Sequence, residues 1–240
     1  MKDTLFGHST DALLDDPVQA ACDSGWSQWV QSQGAAQALP AFIGHFATLC
    51  EEDPKGGEDL AALIAKRKAP VLFLKKAEIT VPAPVECLKE FGALQMVLSK
   101  PPDLPDMDEI TLLEMRDAED MLALAQISKP GPFAIGTPLL GKFLGIRQNG
   151  HLIAMAGQRI NLPGWVEISG VCVHPDFHGR GLGADLTCAM VHLILSGAAM
   201  PFLHTYRENH RAISLYERLG FQVRTEMHLA SVGLPREQAQ

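Results

Sequence analysis

VCVHPDFHGRGLGADL, residues 171–186, decides how this chain is read. It is an apolar strand that stops at Pro175, then a turn with glycines at 179, 181 and 183, then the start of a helix. The first backbone amides of a helix have no partner inside it and point outward. With the helix dipole, roughly half a positive charge, they form an anion site. Glycines in such a turn remove the Cβ atoms that would keep a phosphate at a distance. The segment therefore predicts a strand–turn–helix unit whose backbone grips a phosphate or diphosphate.

A P-loop needs G-x-x-x-x-G-K-[ST], and no lysine follows Lys142. A dinucleotide fold could use Gly179, Gly181 and Ala184 as G-x-G-x-x-A. It also needs an acidic residue about 20 positions on, at the end of a strand, and PFLHT (201–205) supplies none.

Upstream, FLGIRQ (143–148) and HLIAMAGQRI (151–160) flank Asn149–Gly150, the strongest short hairpin signal, and WVEISGVCVH (165–174) is the next strand. The helix over about 181–196 places Leu182, Leu186, Ala189, Met190 and Leu193 on one face. PFLHTY (201–206) is a short strand, RAISLYERLG (211–220) a helix closed by Gly220, and FQVRTEMHLAS (221–231) the final strand or pair of strands. Further back lie a strand at 109–116, a helix at 117–127 with Asp117 as N-cap, and a loop, KPGPFAIGTP (129–138). The run SKPPDLPDMD (99–108), rich in proline and aspartate, reads as a linker. Before it, residues 17–50 look loosely helical, and VLFL (71–74) and FGALQMVL (91–98) look like strands.

The two signatures V-x-V-H-P-x-x-H-G-R-G-L-G and, about 25 residues later, N-x-x-A-x-x-x-Y-x-x-x-G-F (Asn209, Ala212, Tyr216, Gly220, Phe221) resemble the GNAT superfamily of N-acetyltransferases. The likeness covers about residues 108–231. The first hundred residues resemble only the less defined N-terminal half of two-part members, such as those similar to glycine N-acyltransferase. The resemblance implies an α/β (α+β) fold: a mixed, mostly antiparallel twisted sheet flanked by helices (105–240), preceded by a smaller α/β domain (1–104). It implies an acyltransferase that uses acetyl-CoA. The diphosphate would lie on the amides around His178, Gly179, Arg180, Gly181, Leu182, Gly183 and Ala184, and the pantetheine arm along a splayed edge at Val171, Cys172 and Val173. The Val173 amide would face the thioester oxygen. The family's turn usually begins with Gln or Arg, where this chain has His178.

Acyl transfer to an amine needs a proton acceptor for the ammonium, a donor for the oxyanion and a proton for the thiolate. Strand alternation places Glu167, Ser169, Val171 and Val173 on one face. The resemblance makes Glu167 the general base, against a plain salt-bridged strand residue. It makes Tyr216 the general acid, against a packing tyrosine on a stripe with Ala212 and Leu219. Asn209 is either a cofactor contact or only an N-cap. The function so implied is acetyl transfer to a primary amine of a small molecule or peptide by direct attack in a ternary complex. A binding module without catalysis, and an acyltransferase for longer acyl chains or amino-acid acceptors, are the other readings.

Composition sets bounds. The 240 residues carry 20 basic and 28 acidic side chains, a net charge of −8, which excludes a general nucleic-acid coat or a polybasic membrane binder. Between 171 and 224, five arginines face four carboxylates, so the acidity lies elsewhere. The five cysteines form no C-x-x-C pair, and His174 and His178, separated by a turn, have no third ligand, so neither disulfides nor a metal is expected. Cys172 and Cys188 read as small core residues, Cys172 facing away from Glu167. The N-terminus lacks a secretory pattern, and a cytoplasmic protein without membrane spans is the expectation. The loop 129–133, with Trp165, is either a connector or part of an acceptor pocket.

Overall fold

The computed structural model describes residues 11–50 and 53–235. In chain order the elements are α1 (Pro17–Cys22), β1 (Gln31–Gln33), β2 (Ala36–Ala38), β3 (Ala47–Leu49), α2 (Gly56–Arg67), β4 (Val71–Lys75), β5 (Glu86–Leu98) and β6 (Ile110–Leu113). They continue as α3 (Ala118–Ser128), β7 (Phe143–Gln148), β8 (His151–Leu162), β9 (Trp165–Val173), α4 (Leu182–Ser196), β10 (Met200–Tyr206), α5 (His210–Arg218) and β11 (Phe221–Gly233).

Eight strands form one sheet in the order β4-β11-β5-β10-β9-β8-β7-β6. Only β9 and β10 run parallel; every other neighbouring pair is antiparallel. The expected mixed, mostly antiparallel sheet with flanking helices is the one found. The β7–β8 hairpin turns at Asn149 and Gly150, both at positive φ (51° and 82°), which an Asn-Gly pair tolerates.

The sheet does not divide at residue 104. β4 and β5 precede the linker, yet β5 lies between β11 and β10, pairing from Phe221↔Leu98 to Gly233↔Glu86 on one edge and from Phe202↔Val97 to Tyr206↔Ala93 on the other. The physical reason is the composition of β5, whose inner half (Ala93, Met96, Leu98) is too apolar to stand at a sheet edge. The Pro/Asp-rich segment is a strap that carries the chain to the far edge, with the Pro102 carbonyl accepting from His192 on α4 at 2.9 Å. The loosely helical reading of 17–50 is also corrected. After the six-residue α1, capped by Asp16, the chain forms the small antiparallel sheet β1-β2-β3. Gly25, Gly34, Pro40 and Gly44 break any longer helix, and Ala36 and Ala38 alternate inward as a strand requires.

Both faces of the sheet are covered. α4 packs on one, with Met96, Ile168, Leu186, Met190, Leu203, Tyr216 and Phe221 in its cluster. On the opposite face lie the N-terminal cluster of Leu14, Trp26, Ile43, Phe46, Phe202 and Leu229, and, under α3, that of Met121, Phe143, Met155 and Cys172. No helix among the described residues is long and apolar enough to cross a membrane.

Candidate active site

A cleft of about 540 Å³ passes through the sheet where β9 and β10 separate. Their ladder runs from Met200↔Trp165 to Leu203↔Ile168 and stops, although both strands continue. The cause is a bulge. The β8–β9 register steps from Gly157↔Ser169 to Met155↔Cys172, three residues of β9 against two of β8, and Gly170 takes φ +62° inside the extra step. A bulge bends its strand and reverses the facing of every side chain beyond it. Val171 and Val173 therefore pack into the α4 cluster with Ile168, while Cys172 joins the α3 cluster on the side of Glu167. This corrects the expected common face of Glu167, Ser169, Val171 and Val173, and the expected opposition of Cys172 to Glu167.

The splay leaves the far edge of β9 open. The His174 amide bonds back to Ile153 on β8 at 2.8 Å, so by alternation the Val173 amide faces the gap. The Val173 carbonyl accepts from Ser128 Oγ at 3.0 Å and from His178 Nε2 at 3.0 Å, which anchors the strand end at the mouth of the turn. His178 thus holds the strand rather than reaching outward as an arginine would.

Gly179 and Gly181 adopt φ +80° and +84°, a left-handed region that glycine enters without penalty. A Cβ at 179 would meet nothing within 4 Å, so that turn opens to space. Gly181 is the N-cap of α4 and supplies no side chain to its amides. Among the described residues, no protein acceptor takes the backbone N–H of Gly179, Arg180, Gly181, Leu182 or Gly183. Five free donors at a helix start, beside the Arg180 guanidinium stacked 4.8 Å over Phe177, fit a diphosphate. Leu182 and Ala184 complete the wall.

Across the cleft stands α5. Asn209 caps it, Oδ1 accepting from the Ala212 amide at 3.2 Å, and also borders the cleft. Tyr216 borders the same cavity with its ring packed edge-on to Phe221, 6.1 Å between centroids. Burial pushes its phenol up to about 12, so it stays protonated throughout the neutral range.

Glu167 does not reach the cleft. It is fully buried, and both oxygens are taken: Arg159 grips it through Nε (2.8 Å) and Nη2 (2.7 Å), and His204 Nδ1 lies 2.8 Å from Oε1. Burial alone would raise its pKa. The Arg159 charge and the hydrogen bonds from His204 and Arg159 outweigh that and hold it down at about 2. The expected general-base role is corrected accordingly: a fully buried carboxylate that is outside the cleft lining, held by three hydrogen bonds and kept at so low a pKa is a poor proton acceptor. Its partners Arg159 and His204 are what the cleft sees.

The chain of contacts continues. Arg224 Nη1 donates to Gln95 Oε1 (2.9 Å), and Gln95 Nε2 donates to the Leu14 carbonyl (2.8 Å). Both bonds fix the Gln95 amide so that its N–H₂ faces His204 Nε2 at 3.0 Å. That nitrogen must accept, so the imidazole proton sits on Nδ1 and points at Glu167. Motif reading missed this network: Arg159 and His204, which border the cleft, and Gln95 and Arg224 behind them. Gln95 carried a signal, a lone polar residue inside the apolar run FGALQMVL, whereas Arg159, His204 and Arg224 stand beside other polar residues and carried none.

The remaining candidates resolve simply. Lys129–Pro132 border the cleft, whereas Trp165 packs edge-on to Phe202 in the core. The Cys172 thiol is pushed up to about 12 by burial, which makes it inert. Among the described residues, no group of three or more His, Cys, Asp or Glu could hold a metal ion.

Comparison with known proteins bears on the fold and the family. Residues 143–229 match the model of the FR47-like protein family. A GNAT-family protein from Novosphingobium aromaticivorans has a crystal structure that superposes with a TM-score of 0.85 and 33% identity, covering 92% of this chain and 98% of that one. A GCN5-related N-acetyltransferase from Kribbella flavida shares the fold at 18% identity and a TM-score of 0.60, over 94% of this chain and 96% of its own. A mycothiol acetyltransferase from Saccharopolyspora erythraea is 35% identical over 82 residues, 34% of this chain but only 27% of that protein. The chain belongs to the GNAT family and is an acyltransferase.

Proposed function

We propose that the protein transfers an acetyl group from acetyl-CoA to a primary amine, by direct attack within a ternary complex. One observation carries this reading: five unpartnered amides at residues 179–183 open onto a cleft that runs along the free edge of β9 to Tyr216. Those amides and Arg180 would hold the diphosphate, and the β9 edge at Val171–Val173 would pair with the pantetheine arm like an added strand. The Val173 amide would donate to the oxyanion. Tyr216 would donate to the sulfur as charge develops there. With the phenol near 12 and a free thiol near 8.5, complete transfer to a solvated thiolate is uphill by about 5 kcal/mol, so the phenol acts as a hydrogen-bond donor that yields its proton only as the bond breaks. Glu167 is a positioning residue that holds Arg159 and His204 at the wall.

Calorimetric titration with acetyl-CoA, followed by an amine screen with free-thiol detection, tests the reading. Saturable binding that disappears in a folded Gly181→Val variant is the expected result. Failure of folded wild type to bind acetyl-CoA overturns it.

A further inference from the structure

Resting on that reading, the cleft also indicates the kind of amine it accepts. Beyond the splay, on the face opposite α4, its wall sets apolar Phe46, Leu74, Ala93 and Leu229 beside Arg159, His204 and Tyr206, with the Arg159 guanidinium 4.7 Å over the Phe46 ring. The charged side chains bordering it among the described residues are all cations: Lys129, Arg159, Arg180, Arg211 and Arg218. No carboxylate among the described residues faces it. Glu167, behind the wall, has both oxygens committed to Arg159 and His204. The titratable groups that border the cleft cannot serve as counterions either. His204 has one nitrogen on Glu167 and the other on Gln95, His178 bonds the Val173 carbonyl, Tyr216 is a buried phenol, and Tyr206 is the other phenol at the wall. Beside Phe46, His45 is pushed below its ordinary pKa first by burial and then by the nearby charges of Arg67 and Arg159. An ammonium entering here would lose its water and find no partner, in a protein whose overall charge is −8.

We propose that the acceptor binds as the uncharged free base of an apolar amine, so that weakly basic aromatic amines are taken in preference to alkylammonium ions of the same size. The amine then brings its own lone pair, and no side chain has to remove a proton before attack. The proton shed by the tetrahedral adduct goes to solvent through the open mouth.

Aniline and cyclohexylamine form a matched pair of probes: similar in size, the first neutral at pH 7, the second an ammonium with a pKa close to the 10.4 of lysine. Titrated calorimetrically into the wild-type protein in two buffers of different ionisation enthalpy, cyclohexylamine is expected to release about one proton on binding and aniline none. In turnover with acetyl-CoA, kcat/KM for aniline should be level from pH 6 to 9, whereas that for cyclohexylamine should climb about tenfold per pH unit. An Ala93→Leu variant, which fills the apolar end, should weaken aniline binding by about tenfold while coenzyme A binding and circular dichroism stay unchanged. Cyclohexylamine binding without proton release, or a level cyclohexylamine profile below pH 8, overturns the proposal. So does aniline binding undiminished by Ala93→Leu. The amine-binding readouts need no coenzyme, so their failure is distinct from failure to bind acetyl-CoA.

Discussion

At one end of the cleft the wall is backbone amides of five consecutive residues, 179–183; at the other it is side chains linked through contacts as distant as Asp15–Arg224, 209 residues apart. The first end is a local object. Its donors exist because a helix begins there and because glycines permit two left-handed residues before it. The second depends on four strands being placed side by side: Arg159 on β8, Glu167 on β9, His204 on β10 and Gln95 on β5, with Arg224 on β11 behind them. A turn tolerates changes elsewhere, whereas a buried charge network fails as a unit.

The largest effect is expected where that contrast is sharpest. Glu167→Ala leaves Arg159 buried without its partner and should lower unfolding free energy by about 3–5 kcal/mol, read from denaturant melts. A loss below about 1 kcal/mol would show that the network holds nothing together. Acid should act on the same bond. The folded carboxyl lies near 2 and its ordinary value is 4.5, so the stabilisation is complete above that ordinary value and drains as pH falls toward 2. About 3 kcal/mol should vanish over that window in wild type and be missing from the pH dependence of Glu167→Gln.

At the local end, changes should touch ligand and rate more than fold. Tyr216→Phe should cut turnover by about a hundredfold with coenzyme affinity unchanged, measured by steady-state kinetics beside calorimetry; equal losses in both would make Tyr216 a packing residue. Gly181→Val forces a branched side chain to φ +84°, at about 1–2 kcal/mol of stability, and should weaken coenzyme binding by at least about tenfold. The smallest effect belongs to Asn209→Ala: about 1 kcal/mol of stability from the lost cap, with coenzyme affinity preserved. A larger drop in affinity than in stability would give Asn209 a ligand contact as well.

What could be read in advance follows the same division. The Asn149–Gly150 hairpin, the strand–turn–helix at 171–186 and the α5 signature are short-range patterns, and each appears where the residues indicated. The two-domain boundary did not, because a proline-rich strap looks the same whether it joins domains or crosses one sheet. Glu167, expected as a base at the cleft, lies buried behind it, paired with Arg159 and His204. Strand alternation carried the reasoning from 167 to 173, and a single glycine bulge at 170 reversed the facing halfway.

By itself the sequence determined a strand, a glycine turn and a helix start whose first amides lie free, since sterics and unpaired amides act over a few residues and need no partner. Only the tertiary structure decided that β5 is shared across the linker, that Glu167 is locked behind Arg159 and His204, and that the far end of the cleft joins apolar side chains to cations. Those outcomes depend on which strands lie side by side. Burial and electrostatics respond to neighbours in space, and a linear pattern of residues does not record them.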